Sequence, residues 1–199
     1  MSTHVNTDNF VRAETDRMFN DIQLGAGGIN QFRHNSTPAS IDEQTVIRLN
    51  RDTLYSFAIV DASNGFALTL PDTQGRYLSA MVVNNDHFVT TILHDAGTHQ
   101  VRTETIGTAY ALVAVRILVD PNDADDVAAV GALQDQIVLE ASSSHPFASP
   151  EYDAESFNNT RSALLALAAE LRGFDRTFGN RWDVDPIRHL IGTAAGWGG

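Results

Sequence analysis

Phe66-Ala67-Leu68-Thr69-Leu70-Pro71-Asp72-Thr73-Gln74-Gly75-Arg76-Tyr77-Leu78-Ser79-Ala80-Met81-Val82-Val83-Asn84 decides the fold class. Two short runs of strand-forming residues flank a Pro/Gly turn, and a link this short can join only antiparallel strands. The pattern continues on both sides. Val46 to Val60 precedes it across the turn Ser63-Asn64-Gly65, and His87 to His94, His99 to Thr105 and Tyr110 to Val119 follow. Asp95-Ala96-Gly97 and Gly107 punctuate those later runs. No helical periodicity interrupts residues 45–119, so an antiparallel meander or sandwich is expected there.

Helices are expected on either side. Asp8 or Asn9 caps a first helix carrying Val11, Met18, Phe19 and Ile22, and Gly25-Ala26-Gly27-Gly28 stops it. Pro121-Asn122-Asp123 opens another, with Val127, Val130, Leu133 and Ile137 as its apolar stripe. After a loop from Ser142 to Pro150, Asp153 caps a helix with Phe157, Leu164, Leu167 and Leu171 facing inward, ended by Gly173. Asp185-Pro186 places an N-cap before a proline at the first helical position and starts a short helix to about Thr193. The expected class is α+β: an antiparallel sheet or sandwich between N-terminal and C-terminal helices. One domain over 1–199 is expected, with a lead-in at 1–44, the β core at 45–119 and a helical segment at 120–199. The close, Gly196-Trp197-Gly198-Gly199, reads equally as a frayed tail or as the point where a longer protein was cut.

Composition narrows the function classes. The chain has 199 residues, 25 acidic and 13 basic, for a net charge of −12; all the basic residues are arginine. No basic face for nucleic acid or an anionic membrane is visible. Aspartate exceeds glutamate 18 to 7, a bias that fits codon usage in a high-GC genome or adaptation to high salt. Without cysteine there is no disulfide or thiolate chemistry. With no leader-like N-terminus and no apolar run of ~20 residues, a cytoplasmic location is expected. No phosphate loop, dinucleotide fingerprint, serine elbow or His-Glu-x-x-His occurs, so no nucleotide cofactor is expected.

Three stretches resemble a known family: Val46-Ile47-Arg48-Leu49-Asn50-Arg51-Asp52-Thr53-Leu54-Tyr55-Ser56, then Leu70-Pro71-Asp72 with Gly75-Arg76-Tyr77-Leu78-Ser79, and the close from Asp185 to Gly199. They resemble, over nearly the whole chain, the bacterial and archaeal family called domain of unknown function 1254. The resemblance implies a sandwich-like fold with accompanying helices, no assigned activity, and frequently a second β-rich domain numbered 1214 after the Trp-Gly-Gly.

Candidate chemistry follows from the residues themselves. Strand alternation puts Arg48, Asn50 and Asp52 on one face, with Arg48 able to pair an oxyanion and Asp52 to act as a base. Tyr55 falls off that face unless the strand bulges. Arg116 interrupts an otherwise apolar strand and needs a carboxylate such as Asp52 or Asp86, or else a ligand anion. Arg76 and His87 complete the expected substrate-binding set with Asn50. The catalytic candidates are therefore Asp52, Arg48, Tyr55 and Arg116. A hairpin over Asp95 to Thr98 would set His94 opposite His99, with Asp86 as third ligand to a divalent metal; exposed hairpin-end residues are the stronger reading. His189, Arg188 and Asp185 form either an acid–base set or a capped helix start. Two functions stay open: a domain that binds or transforms a small carbonyl, carboxylate or ester compound, and a non-catalytic assembly module whose polar residues hold the sheet. Self-association through the helices, or a missing C-terminal β domain, are the partners expected.

Overall fold

The computed structural model describes residues 2–39 and 50–196. Among the described residues, five helices and two antiparallel sheets make an α+β fold. Helix α1 (Phe10–Ala26) ends at Gly27, whose φ of 85° is the left-handed geometry that favours glycine. The first strand, β1 (Arg33–His34), is followed by β2 (Thr53–Asp61), β3 (Phe66–Leu70), β4 (Leu78–Asn84), β5 (Val89–Leu93) and β6 (Gly97–Val101). A single turn of helix, α2 (Thr103–Ile106), leads to β7 (Tyr110–Leu118). Helix α3 (Ala124–Gln134), strand β8 (Val138–Ala141), helix α4 (Ala154–Ala168) and helix α5 (Pro186–Ala195) complete the chain. Three of the expected caps form: Asp123, Asp153 and Asp185 each accept from backbone N–H groups of the helix that follows. At the start of α1 neither Asp8 nor Asn9 does so; the Asn9 side chain accepts from Asn6 N instead.

The larger sheet runs β1-β2-β7-β4-β5 and the smaller β6-β3-β8. The inward face of the larger sheet, with Leu54, Val60, Ala80, Val82, Val113, Val115 and Ile117, packs with Phe66, Leu68 and Leu70 of β3 into the main core. The outward face is divided. Helix α1 covers one end, where Phe19, Ile59, Val83, Leu112 and Phe147 form a second cluster. A third cluster joins α1, α4 and α5 through Phe10, Phe157, Leu164 and Ile191.

The first helix buries more polarity than its apolar spacing suggested: Glu14, Thr15, Asp16 and Gln23 are buried alongside Phe10, Ala13 and Phe19. No helix among the described residues is long and apolar enough to cross a membrane.

Short turns were expected to join paired antiparallel strands, but β3 and β4, which flank Pro71–Gly75, lie in different sheets and do not pair. His94 and His99 do not face each other across a hairpin, because the chain changes sheets between them: β5 pairs with β4, and β6 pairs with β3. A further correction concerns the start of β2. The strand begins at Thr53, and Asn50 Oδ1 accepts from Asp52 N in a tight turn. The alternation expected for Asn50 and Asp52 therefore does not apply.

Candidate functional site

The end of the larger sheet's outward face away from the α1 cluster holds a row of polar side chains. Tyr55 on β2 is directly opposite Arg116 on β7, which is directly opposite Ser79 on β4. Side chains directly opposed in antiparallel strands share a face, with Cβ atoms ~5 Å apart. Alternation adds Thr53 beside Tyr55 and Leu118 beside Arg116, and these two also oppose each other.

Arg116 is half-buried on the central strand and makes no hydrogen bond or ion pair with any described residue. Four buried side-chain oxygens among the described residues lack a hydrogen-bond partner: Thr53 Oγ1, Ser79 Oγ, Gln134 Oε1 and Thr177 Oγ1. Two of the four stand on this row. Thr53 is 7% exposed and Ser79 2%. A buried hydroxyl left unpaired costs ~1–3 kcal/mol, so their collection beside an unpaired guanidinium needs a reason. Around the row, Tyr77 (47% exposed), Ile92 (54%) and Leu118 (41%) present apolar surface to solvent. Tyr55 stacks on Phe57 at 5.6 Å, and Tyr77 approaches His94 at 6.1 Å.

The other candidates are dispersed. Arg76 donates Nη1 to Leu118 O at 2.8 Å and to Asp126 Oδ2 at 3.0 Å, with Nη2 on the same carboxylate. Those bonds hold the Asp126 carboxyl below its usual range. Asp86 pairs with Arg12, so neither Asp86 nor the exposed Asp52 is the partner foreseen for Arg116. His94 Nδ1 meets Leu78 O at 3.0 Å, and His99 Nε2 meets Asp95 O at 2.7 Å. With His94, His99 and Asp86 separated, no group of three His, Cys, Asp or Glu among the described residues could hold a metal ion. Arg48 lies outside the described residues.

His87 is buried in a network tying α1, the β4–β5 turn and α5 together. Its Nδ1 lies 3.0 Å from Thr15 Oγ1 and its ring 5.8 Å from that of His189. Burial, and then the neighbouring His189, push its pKa down to about 3, so the ring is neutral. Beside it, Asp16 accepts from Asn85 Nδ2 at 2.7 Å and from Tyr152 OH at 2.6 Å; burial raises its pKa while those two bonds oppose the rise. His189, also buried, sets its two ring nitrogens 3.2 Å from Thr177 O and Asp86 O, a structural position. Asp185 takes the capping role, accepting from Ile187 N and Arg188 N.

One further cluster imitates a catalytic triad. Ser143 Oγ and Asp61 Oδ2 lie 3.0 and 3.1 Å from His145, but both contact the same nitrogen, Nδ1. A relay needs the serine and the carboxylate on opposite nitrogens. Burial favours the neutral Asp61, yet hydrogen bonds from Ser143, Ser63 and the His145 backbone outweigh it and hold the carboxyl well below its usual range. Such a group anchors a loop and is a poor base.

Residues 29–104 match the family model described as a protein of unknown function, DUF1254. The chain resembles that family. The match contains Thr53, Tyr55 and Ser79 and stops short of Arg116. A crystal structure of the VPA0106 protein from Vibrio parahaemolyticus superposes with a TM-score of 0.69 at 14% identity, covering 97% of this chain and 67% of that one. At that identity the likeness shows the fold alone. No curated protein matches.

Within the DUF1254 match, the segment Asn50-Arg51-Asp52-Thr53-Leu54-Tyr55-Ser56 is split by strand alternation. Tyr55 joins Arg116 on the outward face. Ser56 turns inward, where its Oγ meets His34 Nδ1 at 2.7 Å and accepts from Gln134 Nε2 at 3.1 Å. Ser79 and Thr53 were not foreseen as site residues. In sequence they are ordinary strand residues, and only the register places them beside Arg116.

Proposed function

We propose that the outward sheet face binds a small organic carboxylate, with Arg116 as the partner of the anion. The observation that carries this reading is the unpaired Arg116 guanidinium beside the unpartnered hydroxyls of Thr53 and Ser79. A guanidinium presents a planar fork of donors that matches a carboxylate. The hydroxyls and Tyr55 OH can take further ligand oxygens. Arg116 and Asp52 do not saturate each other, which is the arrangement an assembly role for this pair would require. The same criterion assigns Arg76 and Asp86 to structure, since each is held in an ion pair.

The test compares two arginines by calorimetric titration with propionate. A hydrogen bond to a charged group contributes ~1.5–3 kcal/mol, so Arg116→Gln is expected to weaken binding by at least tenfold. Arg76→Gln should leave affinity unchanged and lower the melting temperature. An Arg116→Gln protein that loses stability but keeps its affinity for propionate would make Arg116 a structural residue.

A further inference from the structure

We infer that the ligand is a monocarboxylate with an aromatic or branched apolar body, favoured over short carboxylates and over dianions. This rests on the carboxylate reading above and extends it to the substrate class.

Charge is the first argument. Among the strand residues at this end of the face, Thr53, Tyr55, Ser79, Ile92, Arg116 and Leu118, only Arg116 is charged. Arg33, opposite Phe57 on the edge strand, lies against Gly25 at the end of α1. Arg12, Arg17 and Arg76 are committed to carboxylates. Among these strand residues a second negative charge on the ligand would find no cation, the next arginine of the described residues before Thr53 being Arg51 in the turn ahead of β2, in a chain whose net charge is −12.

The rim is the second argument. Tyr77, Ile92 and Leu118 lie on or beside three adjacent strands around Arg116, and all three are largely exposed. Leu118 is two residues from Arg116 along β7 and donates its backbone N–H to Tyr77 O at 3.0 Å. Two residues of strand span ~7 Å, about the length of a phenyl ring with its carboxylate. A carboxylate held by Arg116 would therefore lay an aromatic body across Leu118 and Tyr77, with the Tyr55–Phe57 stack on the other side. Clustered exposed apolar side chains around a polar centre mark binding surfaces, where single scattered ones do not.

The experiment titrates the full chain with benzoate, acetate, succinate and inorganic phosphate. Benzoate should bind at least tenfold more tightly than acetate, and more tightly than succinate or phosphate. Tyr77→Ala and, independently, Ile92→Thr should reduce the benzoate advantage several-fold without changing acetate. Equal affinity for benzoate and acetate, or tighter succinate or phosphate, overturns the apolar-body inference while leaving the carboxylate reading standing. Absence of binding by every carboxylate overturns that reading as well. Benzoate binding that survives Arg116→Gln places the ligand elsewhere and overturns both.

Discussion

The two ends of one sheet face differ in how they satisfy their side chains. At the end under α1, Phe19, Ile59, Leu112 and Phe147 pack together, and the polar groups nearby are paired: Asp16 with Asn85 and Tyr152, Asp86 with Arg12. At the other end a guanidinium and two hydroxyls have no partner among the described residues and stand inside a rim of exposed apolar groups. Buried polarity by itself therefore says little about function in this molecule. The covered end contains more ionisable groups and spends them on holding helix to sheet. What distinguishes the open end is hydrogen-bonding capacity left unused.

The contrast can be attacked first through packing. Phe19→Ala removes a fully buried ring at the covered end and should cost about 3–5 kcal/mol. For a chain of this length that lowers the melting temperature by roughly 6–20 °C, measurable by calorimetry. A loss below 1 kcal/mol would show that α1 does not depend on this cluster.

Acid probes the paired end next. His87 titrates at about 3 when folded and near 6.5 when unfolded. The folded pKa is the lower one, so its stabilising contribution is complete above pH 6.5. It is lost as pH falls from 6.5 towards 3, where the unfolded chain takes the proton first. Melting temperature should fall across that window, and His87→Gln should flatten the fall. An unchanged slope would mean that other groups, such as the carboxylates, set the acid sensitivity.

The smallest effect has the opposite sign. Ser79→Ala at the open end deletes a buried hydroxyl that has no partner. It should raise stability by up to ~1 kcal/mol, read from the midpoint of urea unfolding, while propionate affinity falls a few-fold. A loss of stability would show that the hydroxyl is paired in solution, and would erase the difference between the two ends.

Local features of the chain were legible where the physics is local. The β-rich segment, its turns and the caps Asp123, Asp153 and Asp185 could all be read from composition and spacing, because each depends on a few adjacent residues. Tyr55 and Arg116 were identifiable as candidates, the second because a charge in an apolar strand stands out. Their meeting was not legible, since it depends on the register between strands more than fifty residues apart. The same limit misled the histidine argument. Asp95-Ala96-Gly97 looks like a hairpin turn, yet the chain uses it to leave one sheet for the other. Strand β8, four residues between a helix and a loop, left too short a pattern to notice. The buried Asp16 and Glu14 were missed because an acidic residue on a helix ordinarily faces water; Glu14 is bonded one turn along by Arg17, with Arg161 3.7 Å away, while the partners of Asp16, Tyr152 and Asn85, come from distant segments.

Strand β7 lies at the centre of the five-stranded sheet but is the last of the five in sequence. During synthesis β2 and β4 must therefore wait, each with an edge lacking its eventual neighbour, until residues 110–118 leave the ribosome. Pairing over such separations is slow, and exposed strand edges in the interval invite aggregation. Arg116 arrives within that closing strand, so a nascent chain cannot display the complete row of Tyr55, Arg116 and Ser79 before its main sheet has assembled.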